Sequence, residues 1–343
     1  MEKYRLVKFS SNRSLEEAEE MYNQRIEDAI DIYKRYNGRF FLRECPFCGS
    51  GDYTDSEKFH NTYGVSKCNK CNSLYVNPCP DIEALDDYYK NSKCNMLLDR
   101  LYKKRHAKSD NYIMDDRVKE VLKHISENPA GNLKVFEIGC GSGSFLSKLN
   151  QAIKKELPDK NVELYGIDVD RNAIENNVDN ELNLICSNAE EFTKKHTGNY
   201  DIIVHFELIE HLTDPFTFMK NLYRILKPDG LMIFTTPNSA GLEEISSDYN
   251  SYRLIAPSIF PPLHLNAFNT FNITHFAIRS NYKVLQIKTP GKLDMDMMSL
   301  TRDYLKDEGL KMIADFDDET RGLIQHLIST VNASSHMMCI LRK

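Results

Sequence analysis

The sequence predicts an α/β protein with a doubly wound parallel sheet and a small N-terminal unit attached to it, and three observations carry that prediction. From Leu133 onward, short apolar runs alternate with helical patterns. The first run (Leu133, Val135, Phe136, Ile138) stops on Gly139, Gly141 and Gly143, and helical spacing begins at once with Phe145, Leu146 and Leu149, giving strand, glycine turn, helix. Before the alternation starts, Cys45-Pro-Phe-Cys48 and Cys68-Asn-Lys-Cys71 repeat a C-x2-C spacing.

At 343 residues the chain can fill one large domain or two. A net charge of −6 with 27% charged residues leaves no basic surplus, so a broad nucleic-acid surface is not expected. No apolar run reaches about 18 residues, and Met1 to Ser10 lacks an apolar core, so neither a membrane span nor a secretory signal is read and a cytoplasmic protein is expected. Nine cysteines then point to thiols that are reduced, buried or metal-bound rather than to a disulfide scaffold.

In chain order, Ser14 and Glu17 form an S-x-x-E capping box ahead of an amphipathic helix whose apolar positions run from Leu15 through Ala18, Tyr22, Ile26, Ala29 and Tyr33 to Tyr36. Two C-x2-C turns follow, flanked by strand-like Phe40–Leu42 and Leu74–Val76. Four thiolates on two such turns match the closed tetrahedral ligand set of structural zinc, so Cys45, Cys48, Cys68 and Cys71 are the expected Zn²⁺ ligands of a ribbon or knuckle unit. Cys79 and Cys94 have no partner at ligand spacing. Asp81 to Ser109 reads as polar helix with Leu85, Tyr88, Tyr89, Leu97, Leu98, Leu101 and Tyr102 as apolar positions, and a further helix spans Ile113 to Ser126.

The alternating region supplies strands Leu133–Ile138, Val162–Ile167, Leu182–Cys186, Asp201–Phe206 and Leu231–Thr236, with helices near 145–156, 171–177, 189–195 and 215–226. Lys227-Pro228-Asp229-Gly230 has turn chemistry. Beyond it come an irregular stretch (Pro237–Phe268), a helix (Thr270–Ser280), a strand (Tyr282–Thr289), helical patches near 296–307 and 318–331, and a last strand, Met337–Leu341. The organisation expected is an N-terminal helical segment (1–43), a zinc unit (44–80), a helical linker (81–131) and a main domain (132–343). Within that domain a lid spans about 237–268 and a helical insertion about 291–335.

The glycine turn is a cofactor shelf: glycines admit positive φ and close approach, and the helix start offers free N–H groups. The dinucleotide fingerprint places its third glycine one position later and needs no acid before the first, whereas Glu137 stands here. Asp168 ends the second strand, where a carboxylate can accept both hydroxyls of a ribose.

Together, E-I-G-C-G-S-G (Glu137 to Gly143) and G-I-D-V-D (Gly166 to Asp170) resemble motif I and the next acidic motif of the class I S-adenosylmethionine-dependent methyltransferases. That resemblance implies a seven-stranded Rossmann-like sheet whose last strand is inserted antiparallel. It also implies S-adenosyl-L-methionine contacts from Glu137, Gly139, Cys140, Gly141, Gly143, Asp168, Val169, Asn188, Ala189 and Phe206. Asn188 reads equally as the cap of the helix it precedes. The run V-H-F-E-L-I-E-H-L (Val204 to Leu212) resembles the post-motif of small-molecule methyltransferases, among them quinone O-methyltransferases and zinc-containing sugar C-methyltransferases. It implies His211 as general base with Glu210 as its orienting partner, although the pair also reads as structural residues at a helix start. His264, in F-P-P-L-H-L-N-A-F, is the second candidate base. His205 lies inside a strand and is expected to be packed there.

The cysteine pairs with the N-P-C-P and Y-Y segments resemble bacterial methyltransferases of surface-polysaccharide and sugar-nucleotide biosynthesis. The sugar C-methyltransferases continue into a further domain, and only a helical insertion and one strand follow Pro290 here, so a sugar or sugar-nucleotide hydroxyl is the expected acceptor. Two other readings remain open at this stage. One is an RNA methyltransferase gripping RNA with its zinc unit, against which stand the acidic balance and the Ser that follows Asn238 in place of two prolines. The other is a zinc-organised binding protein that holds the cofactor without turnover.

Overall fold

A computed structural model describes residues 5–9, 14–97, 112–177 and 179–343. Three short strands, β1 (Tyr53–Asp55), β2 (Val65–Cys68) and β3 (Leu74–Val76), form an antiparallel N-terminal sheet in that order. The main sheet holds β4 (Asn132–Ile138), β5 (Asn161–Asp168), β6 (Asn183–Cys186), β7 (Tyr200–Phe206), β8 (Leu226–Pro237), β9 (Lys283–Lys288) and β10 (His336–Arg342) in the order β6-β5-β4-β7-β8-β10-β9. From β6 to β8 every pairing is parallel, and β10 runs antiparallel to both β8 and β9. The expected seven-stranded doubly wound fold is therefore present.

Strands β5 and β7 flank β4 on opposite sides, so the chain changes direction across the sheet at the end of β4. In open parallel sheets that switch point is where ligands bind. Strand alternation builds two cores. Leu133 and Val135 of β4, Ile202 and Val204 of β7, and Met338 and Ile340 of β10 face helices α3 (Tyr112–Glu127) and α4 (Ser144–Glu156). Phe136 and Ile138, Ile203, and Cys339 and Leu341 face α7 (Pro215–Ile225), α9 (Asn272–Arg279) and the cysteine turns, which bring Cys45, Phe47, Cys68 and Tyr75 into the same core. Between these, α5 (Arg171–Glu175) and α6 (Ala189–Lys195) are short, and α8 (Leu242–Ser246) is the only helix that the described structure places in the lid.

Helix α1 (Leu15–Tyr36) carries the full capping box, with the Glu17 N–H donating to Ser14 Oγ (3.1 Å) and the Ser14 N–H to Glu17 Oε2 (3.2 Å). Its Tyr22 and Ala29 pack with Phe59, Tyr63 and Val65 of the N-terminal sheet and with Ile259, Phe260 and Leu265 of the lid. The stripe is packing, as expected.

Several local expectations change. Phe40–Leu42 forms no strand and contributes a single bridge, Phe41 to Cys79, whereas β1 and β2 arise from sequence without a strand-like run, organised by the pairing of β2 with β1 and with β3. Lys227–Gly230 lies inside β8 as an irregularity, with Asp229 at φ 60°, because Leu226 already pairs with Tyr200. The polar helix after Asp81 begins as α2 (Ile82–Asn91). Its expected course through Leu98, Leu101 and Tyr102 to Ser109 lies outside the described residues, as does His106. The first helical patch of the insertion, expected near 296–307, is α10 (Asp294–Leu300) and a 3₁₀ turn (Arg302–Tyr304). Helix α11 (Glu308–Ala314), started by Asp307 accepting the Leu310 N–H, lies beyond it and was not expected, and the second patch is α12 (Asp318–Thr330). Among the described residues no helix is long and apolar enough to cross a membrane.

Phe47, 1% exposed, seats the first cysteine turn against Phe268 and Phe276, with ring centroids at 4.8 and 6.3 Å. Phe47→Ala is expected to lower unfolding free energy by about 3–5 kcal/mol in urea denaturation. Leu42→Ala, at a position 69% exposed, should stay within about 0.5 kcal/mol of the parent.

Candidate active site

The glycine loop is built by its backbone. Gly139, Gly141 and Gly143 have φ of 77°, 54° and 78°, in the left-handed region. The N–H groups of Gly139 and Cys140 both donate to Ile167 O (2.9 and 3.0 Å), and Cys140, buried, lies over Gly166 of β5, where a Cβ would meet its Sγ at 2.8 Å. A Cβ at Gly141 would meet nothing within 4 Å, so the loop opens onto free space at its middle.

Asp168 holds that loop. One carboxylate oxygen accepts the Gly141 N–H (2.7 Å) and the other accepts the Asp170 N–H (2.9 Å). Each oxygen keeps a further lone pair, so two more donors can be taken. Val169 beside it is 65% exposed. Asn188 caps α6, its side-chain oxygen accepting the Glu190 and Glu191 N–H groups, and Ala189 opens that helix. The cap reading of Asn188 is thus satisfied, while its amide nitrogen has no hydrogen bond among the described residues.

Glu137, 4% exposed at the end of β4, leaves Oε2 without a partner among the described residues. Burial pushes its carboxyl up to about 8, against the pull of Arg117 and with the help of Asp168. A buried acid without a partner, beside a loop that opens onto free space, fits a ligand with a cationic or hydrogen-bond-donating end.

On the other side of the β7 end, Ile209–His211 forms a 3₁₀ turn. His211 Nδ1 donates to Leu263 O and His264 Nδ1 to Pro257 O, both at 2.7 Å. A carbonyl only accepts, so both rings carry their proton on Nδ1 and present a bare Nε2. Their centroids are 4.9 Å apart. Burial lowers both rings, His211 below the ordinary 6.5 and His264 to about 3, the latter also repelled by His211. Glu210 stands 3.7 Å from His211 Nε2, beyond a hydrogen bond, so the bond that orients the ring comes from Leu263 and not from Glu210 as expected. Glu210 is 1% exposed, accepts from Thr236 Oγ1 (2.9 Å), and has Oε1 unpartnered. Burial, reinforced by Glu207, holds its carboxyl well above the usual range and therefore neutral. One atom each of Glu210, His211 and His264 lies within 4.8 Å of the others. His205 is packed in the core as expected, stacked on Phe234 at 4.6 Å.

The four cysteine sulfurs also converge, all within 4.8 Å, with Cys45 to Cys71 at 3.6 Å and Cys48 to Cys68 at 3.5 Å. Thiolates about 2.3 Å from one tetrahedral zinc stand about 3.8 Å apart, so the spacing fits the ion. The two turns match in backbone: the Cys45 and Cys68 N–H groups donate to Ser50 and Ser73 carbonyls, and Gly49 and Asn72 are both left-handed.

Comparison with known proteins bears on the region from the last helix before the sheet to β9. The sequence profile of the family described as "Methyltransferase domain" matches residues 106–287, over half the chain. The chain belongs to this methyltransferase family. It is similar to the ubiquinone biosynthesis O-methyltransferase of Bradyrhizobium diazoefficiens, 30% identical over 132 residues, which are 37% of this chain and 49% of that protein. It is also similar to the mitochondrial enzyme of that name from Bos taurus, 27% identical over 140 residues, 38% of this chain and 36% of that protein. The match thus spans half or less of these relatives' own length. Among solved structures it is similar to a SAM-dependent methyltransferase from Archaeoglobus fulgidus (18% identity, TM-score 0.45, covering 71% of this chain and 98% of that one).

The methyltransferase domain also gathers residues that sequence reading missed. Arg117 of α3 donates from Nη2 to Glu207 Oε1 (2.8 Å) and Thr235 Oγ1 (2.9 Å), and lies 4.5 Å over the Phe206 ring. Phe206 in turn packs edge-on against Phe145. Glu207 has φ 50°, a conformation that a non-glycine residue adopts with strain at a strand end facing a site. Burial raises its carboxyl, but His336, Arg117 and the Thr235 hydroxyl outweigh that and hold it below the ordinary range. The signal for Arg117 was its place one turn before Val121, on the rim of the Val118, Val121, Leu122, Ile125 stripe.

Because the Glu137 carboxyl is raised in the folded state, ligand-free stability is fully present at the ordinary carboxyl range and falls as pH rises through about 8. Glu137→Gln removes that dependence. Calorimetric melting should show the variant gaining on the parent at pH 8 and not at pH 5.

Proposed function

We propose that this protein transfers a methyl group from S-adenosylmethionine to a hydroxyl of a small polar acceptor, with His211 as general base. The observation that carries the reading is the meeting, at one switch point, of an open glycine loop backed by an unpartnered acid with a pair of neutral, Nδ1-protonated histidines.

S-adenosylmethionine supplies a methyl on a sulfonium, open to in-line attack by a nucleophile. Asp168 accepts the ribose hydroxyls on its remaining lone pairs while its N–H bonds keep the loop in shape. Gly139, Cys140, Gly141 and Gly143 line the shelf. Glu137 with Arg117 faces the amino-acid end, where Glu137 accepts and Arg117 binds a carboxylate. Val169, Asn188 and Ala189 border the place for the adenine, and Phe206, under Arg117, borders the amino-acid end. Methyl transfer requires orientation first and proton removal second. His211 meets both needs: its ring is fixed by Leu263, and its depressed basicity keeps Nε2 bare at neutral pH. His264, lowered to about 3, is the weaker base and suits a hydrogen-bond acceptor that aligns the hydroxyl. Glu210, neutral, offers a donor from Oε1.

Cys45, Cys48, Cys68 and Cys71 are proposed to hold structural zinc. A hydroxyl acceptor is supported by the names of the ubiquinone biosynthesis O-methyltransferase relatives, while a sugar or sugar nucleotide is supported by the N-terminal resemblance. The finer identity rests on that resemblance alone.

Calorimetric titration with S-adenosylmethionine should give saturable binding that Asp168→Ala weakens at least about tenfold, the loss expected for two hydrogen bonds to a charge. Absence of binding to folded, zinc-assayed protein would sink the enzyme reading. With any hydroxyl acceptor that turns over, His211→Ala should lower kcat by about 10²–10⁴-fold while cofactor affinity holds. The parent's kcat/KM should rise with pH to a plateau through an apparent pKa below 6.5.

A further inference from the structure

The N-terminal unit reaches the backbone beside both acceptor-side histidines through one side chain. Arg43 lies two residues before Cys45, and its guanidinium donates from three nitrogens to three carbonyls: Nε to Val76 (3.2 Å), Nη1 to Thr213 (2.9 Å) and Nη2 to Leu265 (3.0 Å). Val76 ends β3, Thr213 follows the His211 turn by two residues, and Leu265 follows His264 directly. Arg43 is itself anchored, its backbone N–H donating to Asn77 Oδ1 (3.1 Å) and its guanidinium lying 5.6 Å over the Tyr75 ring.

These carbonyls sit where neither histidine segment has regular structure. The lid is joined to the His211 turn by the Leu265 N–H to Glu210 O (2.8 Å) and by the Asn266 amide to Glu210 O and Leu212 O (3.2 and 2.8 Å). It is joined to β3 by the Val76 N–H to Leu265 O (2.9 Å), so Leu265 O takes two donors at once. Among the described residues, Arg43 is the one side chain that binds β3, the His211 turn and the His264 segment together. A planar guanidinium fixes the directions of its donors, which an ammonium on a flexible stem does not.

We propose that Arg43 is a positioning residue for methyl transfer: it clamps the His211 turn and the His264 segment in one frame and so sets the spacing and direction of the two imidazoles. The proposal rests on the reading of those histidines as the acceptor-side pair. Arg43 touches neither ring and acts through Thr213 and Leu265.

The test follows the Cε1–H signals of His211, His264 and His205 by NMR, with S-adenosylhomocysteine binding measured by calorimetry on the same samples. His205, buried in β7, reports the integrity of the core. In Arg43→Ala, the His211 and His264 signals should shift and titrate at higher pH than in the parent, as burial of the pair is relaxed. His205 should stay in place, and S-adenosylhomocysteine affinity should stay within about twofold, as for a site distant from the change. Added guanidinium ion should return both signals. Arg43→Lys, which keeps charge and stem, should also displace them, and it carries the test if the alanine variant does not fold.

Unmoved His211 and His264 signals in a folded variant overturn the proposal. So does movement of His205 together with the pair, which would mark general loosening. Failure of the parent to bind S-adenosylhomocysteine strikes instead at the proposed function, so the two failures are distinguishable.

Discussion

The lid is a buried segment with almost no secondary structure of its own, and its backbone polar groups must still be paired. Ile259, Phe260, Leu265, Ala267 and Phe268 are all buried to 2% exposure or less. The solution is to borrow partners: β3 supplies the Leu74 carbonyl to the Ala267 N–H (3.0 Å) and the Val76 N–H to Leu265 O, while Glu210 O takes the Leu265 N–H. The lid thereby becomes a further strand-like edge of the N-terminal sheet, bridged at Tyr75 and Asn266. Much else follows from that pairing. The cysteine turns must be ordered for β3 to offer its edge, α1 covers the other side of the same segment, and the histidine on the lid meets the histidine on the turn that follows β7.

The electrostatics of the site follow from the same burial. Glu137 and Glu210 are carboxyls for which the folded chain favours the neutral form, and His211 and His264 are rings for which it also favours the neutral form. These groups bring little fixed charge of their own before ligand arrives, and the charges beside them come from the Arg117–Glu207 pair and from Arg25. A cationic ligand end beside Glu137 stabilises the ionised carboxyl. Binding there is then linked to release of a proton near neutral pH, and the acid that is a burden to the free protein becomes an attractive partner in the complex.

Much of this was legible from residue patterns. Apolar runs mark the buried strands, because the apolar residues of β4, β7 and β10 serve one or other of two cores. The glycine triplet marks the loop because left-handed backbone excludes most other residues. The matched C-x2-C turns mark the sulfur cluster because both need the same backbone path. What escaped depends on pairing: β1 and β2 are too short and too mixed in sequence to read as strands, and they form because β2 pairs with β1 on one side and β3 on the other. Arg43 and Arg117 look like ordinary surface cations until the carbonyls of Thr213 and Leu265, or the carboxylate of Glu207, are brought to them. The role expected of Glu210 changed for the same reason, since Leu263, 52 residues on from His211, makes the orienting bond that the neighbouring acid was expected to make.

Base strength separates the two histidines where sequence could not. Rings 4.9 Å apart in a buried site cannot both carry charge, so the pair accepts one proton, and the question is which ring takes it. His264 is lowered to about 3 by burial and by His211, with Arg25 adding to the penalty. For His211 the same burial is opposed by its hydrogen bond to Leu263 and by the negative field of Glu207, which reaches His264 as well. Glu207 raises both rings and Arg25 lowers both, so what sets them apart is the repulsion from His211 that falls on His264, and the shared proton goes to the ring fixed by Leu263. Within the proposed reaction, a proton leaving the acceptor hydroxyl goes to His211 Nε2, and His264, kept neutral by its neighbour's charge, retains a lone pair with which to hold a second donor of the acceptor.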